Sequence, residues 1–130
     1  MEINLQRYTM VLKYFNIDEF DCPSEKGSGS KMDSDFLEKL DLARDLAGVS
    51  FKINSGFRTQ AHNDSLPNSK PDSAHIEGKA ADIHCTNSRE RFIITKALLD
   101  AGINRVGIGK TFIHCDTSES KAPEVIWLYS

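Results

Sequence analysis

Two of the four histidines in this chain of 130 residues, taken with one aspartate, have the residue types of a metal site. His75 and Asp82 stand seven positions apart in Ser73-Ala-His-Ile-Glu-Gly-Lys-Ala-Ala-Asp82. His114 lies in Phe112-Ile-His-Cys-Asp116, at a strand position where a core would take an apolar side chain. Two imidazoles and a carboxylate suit zinc and leave a fourth position open for water, which separates a catalytic site from a closed structural one. Spacing alone leaves the alternative standing. A strand histidine is commonly a hydrogen-bonded structural residue, and a strand aspartate commonly caps or pairs with a nearby loop. The three residues come from separate stretches, so the fold has to bring them together.

The elements that would do so are legible. A helix is predicted over about Ser34 to Ala47, with Asp33 or Ser34 as cap, Phe36, Leu40, Ala43 and Ala47 on one face, and Gly48 as terminator. Val49 to Asn54 alternates apolar and polar residues, the pattern of a half-buried strand. Ser55 to Ser73 is polar and reads as a long loop with one helical turn near Ala61; loops of this length in compact domains are more often functional than idle. Ala80 to Cys85 reads as a strand. Asn87 followed by Glu90 forms a capping box for a second helix over about Ser88 to Ala101, closed by Gly102. Its apolar face is Phe92 or Ile93, Ala97, Leu98 and Ala101. Three short strands follow at Arg105–Gly109, Phe112–Asp116 and Val125–Tyr129, and their short polar connections favour antiparallel pairing. Before all these, Leu5, Tyr8, Val11, Leu12, Phe15 and Phe20 suggest short irregular elements packed on the core, and Pro23 to Ser30 a flexible loop. The expectation is one α+β domain over residues 1–130.

Composition excludes several classes. Apolar residues make up 39% and charged ones 27%, as in a soluble globular protein. A net charge of −3 without any basic stripe argues against a nucleic-acid surface. No apolar run approaches the ~18 residues of a membrane helix. The segment from Met1 to Phe15 lacks the features of a secretory signal, so synthesis in the cytosol is expected. Three cysteines form no CxxC pair and no even disulfide set. Cys85 and Cys115 each lie one residue off the ligand-face positions, Cys85 after His84 and Cys115 after His114, so they should point into the core.

Read together, Ser55-Gly-Phe-Arg-Thr59, His62-Asn63, Ser73 to Asp82, Gly107-Ile-Gly109 and Phe112-Ile-His-Cys-Asp-Thr117 resemble, in that order, the zinc peptidases of the D-Ala-D-Ala carboxypeptidase superfamily. Tyr14-Phe-Asn-Ile-Asp-Glu-Phe20 resembles their N-terminal segment. The nearest group is the M15 peptidases, which include bacterial cell-wall carboxypeptidases and small phage endolysins. The hedgehog signalling domain is similar in fold and zinc triad.

The resemblance implies a small, mostly antiparallel sheet with helices on one side and a zinc cleft on the other. One zinc would be held by His75, Asp82 and His114. Arg58 would bind a substrate carbonyl or carboxylate, and Ser73 would contact substrate or fix the loop. His62 and Asn63 would pin that loop. Several relatives carry a glutamate base three residues before the last histidine; Thr111 stands there in this chain. Asp116 is then the leading base candidate, with a role in orienting a ligand as its alternative. His84 is the runner-up, and Glu77 is expected to face solvent. The implied function is cleavage of peptidoglycan stem peptides by a monomer of phage or prophage origin, made in the cytosol and released onto the wall. The competing reading is a zinc-stabilised binding or virion structural module without turnover.

Overall fold

Helix formation follows the caps. In the computed structural model, which describes residues 11–129, helix α1 (Ser34–Ala47) starts where the Asp33 carboxylate accepts the Phe36 amide and ends at Gly48. It buries Phe36, Leu37, Leu40 and Ala43 on one face. Helix α2 (Gln60–Ser65), capped by the Thr59 hydroxyl, occupies the region expected to hold one helical turn. Helix α3 (Ser88–Asp100) starts at the Asn87 cap and packs against α1. Its buried residues are Ile94, Ala97 and Leu98, whereas Phe92 is 68% exposed. The apolar pattern allowed more than one register, and packing against α1 selects the one through Ile94.

Among the described residues the sheet has five strands, β1 (Ile53–Ser55), β2 (Ala80–His84), β3 (Arg105–Ile108), β4 (Phe112–Asp116) and β5 (Val125–Leu128), in the order β1-β2-β4-β3-β5. The β1–β2, β2–β4 and β3–β4 pairs are antiparallel. β5 departs from the antiparallel expectation and runs parallel to β3. The cause is the connection after β4: it carries the chain across β3, and a strand that reverses direction after β4 must run along β3. The first strand is shorter than the alternation from Val49 suggested, and its register shifts between Ile53 and Ser55.

Strand alternation divides the sheet into two faces. Ala81, Ile83, Val106, Ile113 and Cys115 join Phe36, Leu37, Leu40, Ile94 and Leu98 in the core between sheet and helices. Cys85 belongs to the same core, and all three cysteines are free and buried. Burial pushes the Cys115 thiol well up, as suits a packing residue. The opposite face carries Asp82 and His114.

Pro23 to Ser30 is more tightly held than its glycines and serines suggested. Asp21 accepts hydrogen bonds from the amides of Gly27 and Gly29, the Ser28 hydroxyl accepts from the Cys22 amide, and Ser28–Lys31 forms a 3-10 turn. Phe15 and Phe20 are buried; Leu5 and Tyr8 lie outside the described residues. Among the described residues, no helix is long and apolar enough to cross a membrane.

Candidate metal centre

Strand register brings two of the three candidate ligands together, since Asp82 on β2 lies directly opposite His114 on β4. His75 arrives from the turn before β2. That turn depends on Gly78, whose φ of 74° is left-handed backbone; a Cβ there would lie 2.6 Å from the Lys31 carbonyl oxygen. The Gly78 carbonyl accepts the Asp33 amide at 2.8 Å and the His75 carbonyl accepts the Arg58 amide at 3.1 Å, so the turn is fastened at both ends.

His75, Asp82 and His114 each offer one ligand atom within 4.8 Å of the others. His75 Nε2 is 3.4 Å and His114 Nδ1 3.0 Å from Asp82 Oδ1. The remaining ring nitrogens have fixed partners. His75 Nδ1 is 2.7 Å from the Gly56 carbonyl oxygen, which can only accept, so Nδ1 keeps its proton and Nε2 is the nitrogen left facing Asp82. His114 Nε2 is 2.6 Å from Asp116 Oδ2, which likewise commits Nδ1 to the centre. Carbonyl and carboxylate partners of this kind orient metal-binding imidazoles and raise their basicity. The donor set and its support therefore fit a metal ion.

Asp116 is itself held. Its Oδ1 accepts from Arg105 Nε at 2.7 Å and from the Ser118 amide at 3.1 Å, and the residue is 1% exposed. Trp127 lies beside this group, its ring centroid 5.5 Å from that of His114, with the Arg105 guanidinium 5.0 Å above the indole. The indole reaches His114 by crossing Gly107, the β3 residue between them in register; a Cβ on Gly107 would come within 2.7 Å of Trp127.

Charge and burial compete at every group. Burial works to raise the Asp82 pKa, but hydrogen bonds from His114 and His75 hold it well below the ordinary carboxylate range. Burial works the same way on Asp116, and His114, Ser118 and Arg105 outweigh it. Burial works to lower the His114 pKa, and the bonds to Asp116 and Asp82 raise it overall. Stability of the metal-stripped protein should follow these directions. The depressed carboxylates contribute above their unfolded value of 3.8 and lose that contribution as pH falls through their folded values. Raised His114 contributes fully below 6.5 and loses it as pH rises through its folded value. Thermal melts of chelator-treated protein should therefore show a midpoint highest between about pH 4 and 6.5, declining above. A midpoint that climbs steadily towards alkaline pH would contradict this charge arrangement. With metal present the trend turns round, because the ligands must shed protons to bind.

The other residues singled out by sequence occupy distinct places. Arg58 Nη2 is 3.7 Å from Asp82 Oδ2, and its Nη1 donates to Asn63 Oδ1 at 3.2 Å. Asn63 is fully buried and donates to the Lys70 carbonyl, pinning the loop. His62 is partly buried on α2. The Ser73 hydroxyl accepts the His75 amide at 3.2 Å, inside the ligand-bearing turn. His84 is exposed at the end of β2, opposite Phe112. Thr111 is exposed in the β3–β4 turn, and exposed Glu77 accepts from the Ser118 hydroxyl.

Sequence reasoning missed Arg105, Trp127 and Tyr129. Arg105 carried a signal: a charged residue opening an otherwise apolar strand needs a partner if that strand is central. Naming Asp116 as the partner requires the β3–β4 register. Trp127 and Tyr129 carried none, since only the parallel placement of β5 brings them beside His114.

No match is found among curated proteins. A family model described as Peptidase M15 matches residues 13–116, a span that holds Arg58, the three candidate ligands and Asp116 and stops short of β5. That span is most of the chain, and the chain belongs to the M15 peptidase family.

Proposed function

We propose that this chain is a zinc metallopeptidase that cleaves peptidoglycan stem peptides, as a carboxypeptidase or an endopeptidase. The observation that carries the reading is the convergence of His75 Nε2, Asp82 and His114 Nδ1, with both opposing ring nitrogens already engaged. Zinc supplies, when bound, a Lewis acid for the scissile carbonyl and a lowered water pKa near ~7. Arg58, at the edge of the centre, offers a planar, two-pronged donor for a substrate carbonyl or carboxylate. Ser73 holds the ligand turn. Asp116 acts by orienting His114, since both its oxygens are engaged and water has no access to it. His84 is then the proton carrier: it shares the Asp82 face of β2 and is open to solvent. The motif resemblance to small phage endolysins supports a lysis enzyme acting on the wall after release.

The second reading, a binding module without turnover, is favoured by Thr111 at the usual glutamate position and by the engagement of Asp116. Mass spectrometry of purified muropeptides incubated with zinc-loaded protein separates the two. The expected result is new free termini, abolished by chelation and restored by zinc. No product at high protein concentration, with zinc bound, would establish the binding module instead.

A further inference from the structure

Strand β5 lies beyond the residues matched by the family model, and its cleft-facing side chains have no part in the reading above. Trp127 and Tyr129 alternate with Ile126 and Leu128, so both project to the face that bears His114. The Tyr129 amide donates to the Ile108 carbonyl at 2.9 Å, which extends the pairing and fixes its direction. Its ring centroid lies 5.0 Å from that of Phe112, 6.1 Å from Trp127 and 6.5 Å from His114, yet the residue remains 43% exposed. The ring is thus wedged among three neighbours while part of it stays open to the cleft.

The phenol also senses the centre. Burial raises its pKa first, and the Asp82 and Asp116 carboxylates raise it further while Trp127 and Arg58 act the other way. The placement itself rests on geometry: the ring lies on the His114 face, 6.5 Å from that imidazole, and is partly open. Arg58 follows β1 at one edge of the sheet and Tyr129 follows β5 at the other, so they flank the centre from opposite edges.

We propose that Tyr129 is a catalytic residue whose hydroxyl donates a hydrogen bond to the scissile carbonyl oxygen as that oxygen gains charge in the tetrahedral transition state. The phenol keeps its proton throughout; no bond to Tyr129 forms or breaks. A preorganised donor aimed at developing charge lowers the barrier because the cleft, unlike water, need not reorganise to meet it. The inference rests on the peptidase reading and adds to it a residue that the family match does not include.

Tyr129→Phe removes the hydroxyl and keeps the ring in its aromatic setting, so fold and metal content should be unchanged. With a synthetic stem pentapeptide as substrate, kcat should fall by about 10²-fold with KM within about twofold of wild type, the scale of losing one such donor. A phosphinate analogue of the same peptide carries a tetrahedral anionic oxygen, and its inhibition constant should weaken by about the same factor as kcat. A merely structural role would move neither ratio. Wild-type kcat and unchanged phosphinate affinity in Tyr129→Phe would overturn the inference and leave the peptidase reading intact, as would an effect confined to KM. Absence of any cleavage by the wild-type protein would overturn both.

Discussion

His114→Ala is expected to purify without zinc and to have no measurable peptidase activity. Wild-type protein prepared without added metal should carry about one equivalent, the stoichiometry of a single three-ligand site. Loss of a supporting residue around a metal typically costs ~10–100-fold in affinity, and loss of a ligand should cost more. The geometry adds a second penalty in this protein. His114 hydrogen-bonds to Asp82 on one side and Asp116 on the other, and those bonds help hold both carboxylates ionised. Alanine strips both carboxylates of that partner, so a loss of folding stability should accompany the loss of the ligand. Elemental analysis checks the metal and circular dichroism checks the fold. A folded His114→Ala protein that retains a full equivalent of zinc would remove this centre from consideration.

Arg105→Met should cost a large part of the stability of the fold. Arg105 and Asp116 are joined at 2.7 Å with side chains only 11% and 1% exposed, so little solvent screens the pair. Removing one member of a buried pair leaves the other charge short of a partner, here Asp116 with only His114 and the Ser118 amide, and costs about 3–5 kcal/mol. For a chain of this length that is roughly 10–20 °C in thermal midpoint. The deficit should be greatest near neutral pH and shrink in acid. The sign follows from the depressed Asp116 pKa: its contribution is present above 3.8 and is lost as pH falls through the folded value. Denaturant titration of the two proteins at neutral and acid pH measures both statements, and a loss below ~1 kcal/mol at neutral pH would refute the first. The exposed Lys13–Asp45 pair is the contrast, since surface pairs of that kind contribute little.

The difference between these two sites also shows what a sequence can and cannot disclose. α1 was legible to its ends because Asp33 and Gly48 are local signals whose meaning does not depend on the rest of the chain. Strand β4 and the residues His75, Asp82 and His114 were legible because period-two alternation and ligand chemistry are likewise local, although their convergence is a property of the fold. Arg105 and Asp116 lie eleven positions apart, and nothing short of the β3–β4 register reveals that they meet. The same holds for β5: short turns argued for antiparallel pairing, and only the path over β3 makes it parallel. Helix α3 kept its expected length, yet its buried face moved to Ile94, because packing against α1 decides between registers that the apolar pattern leaves nearly equivalent.

Trp127 is the sole tryptophan of the chain, and its ring lies 5.5 Å from His114 across the bare backbone of Gly107. Light absorbed by indole is therefore emitted from one place, beside the candidate centre. Protonated imidazole quenches an excited indole at close range, whereas an imidazole that has given its proton up to coordinate a cation does not. The protein thus carries its own optical gauge of the state of His114, readable in dilute solution without a label, and a brightening on addition of zinc would be local by construction.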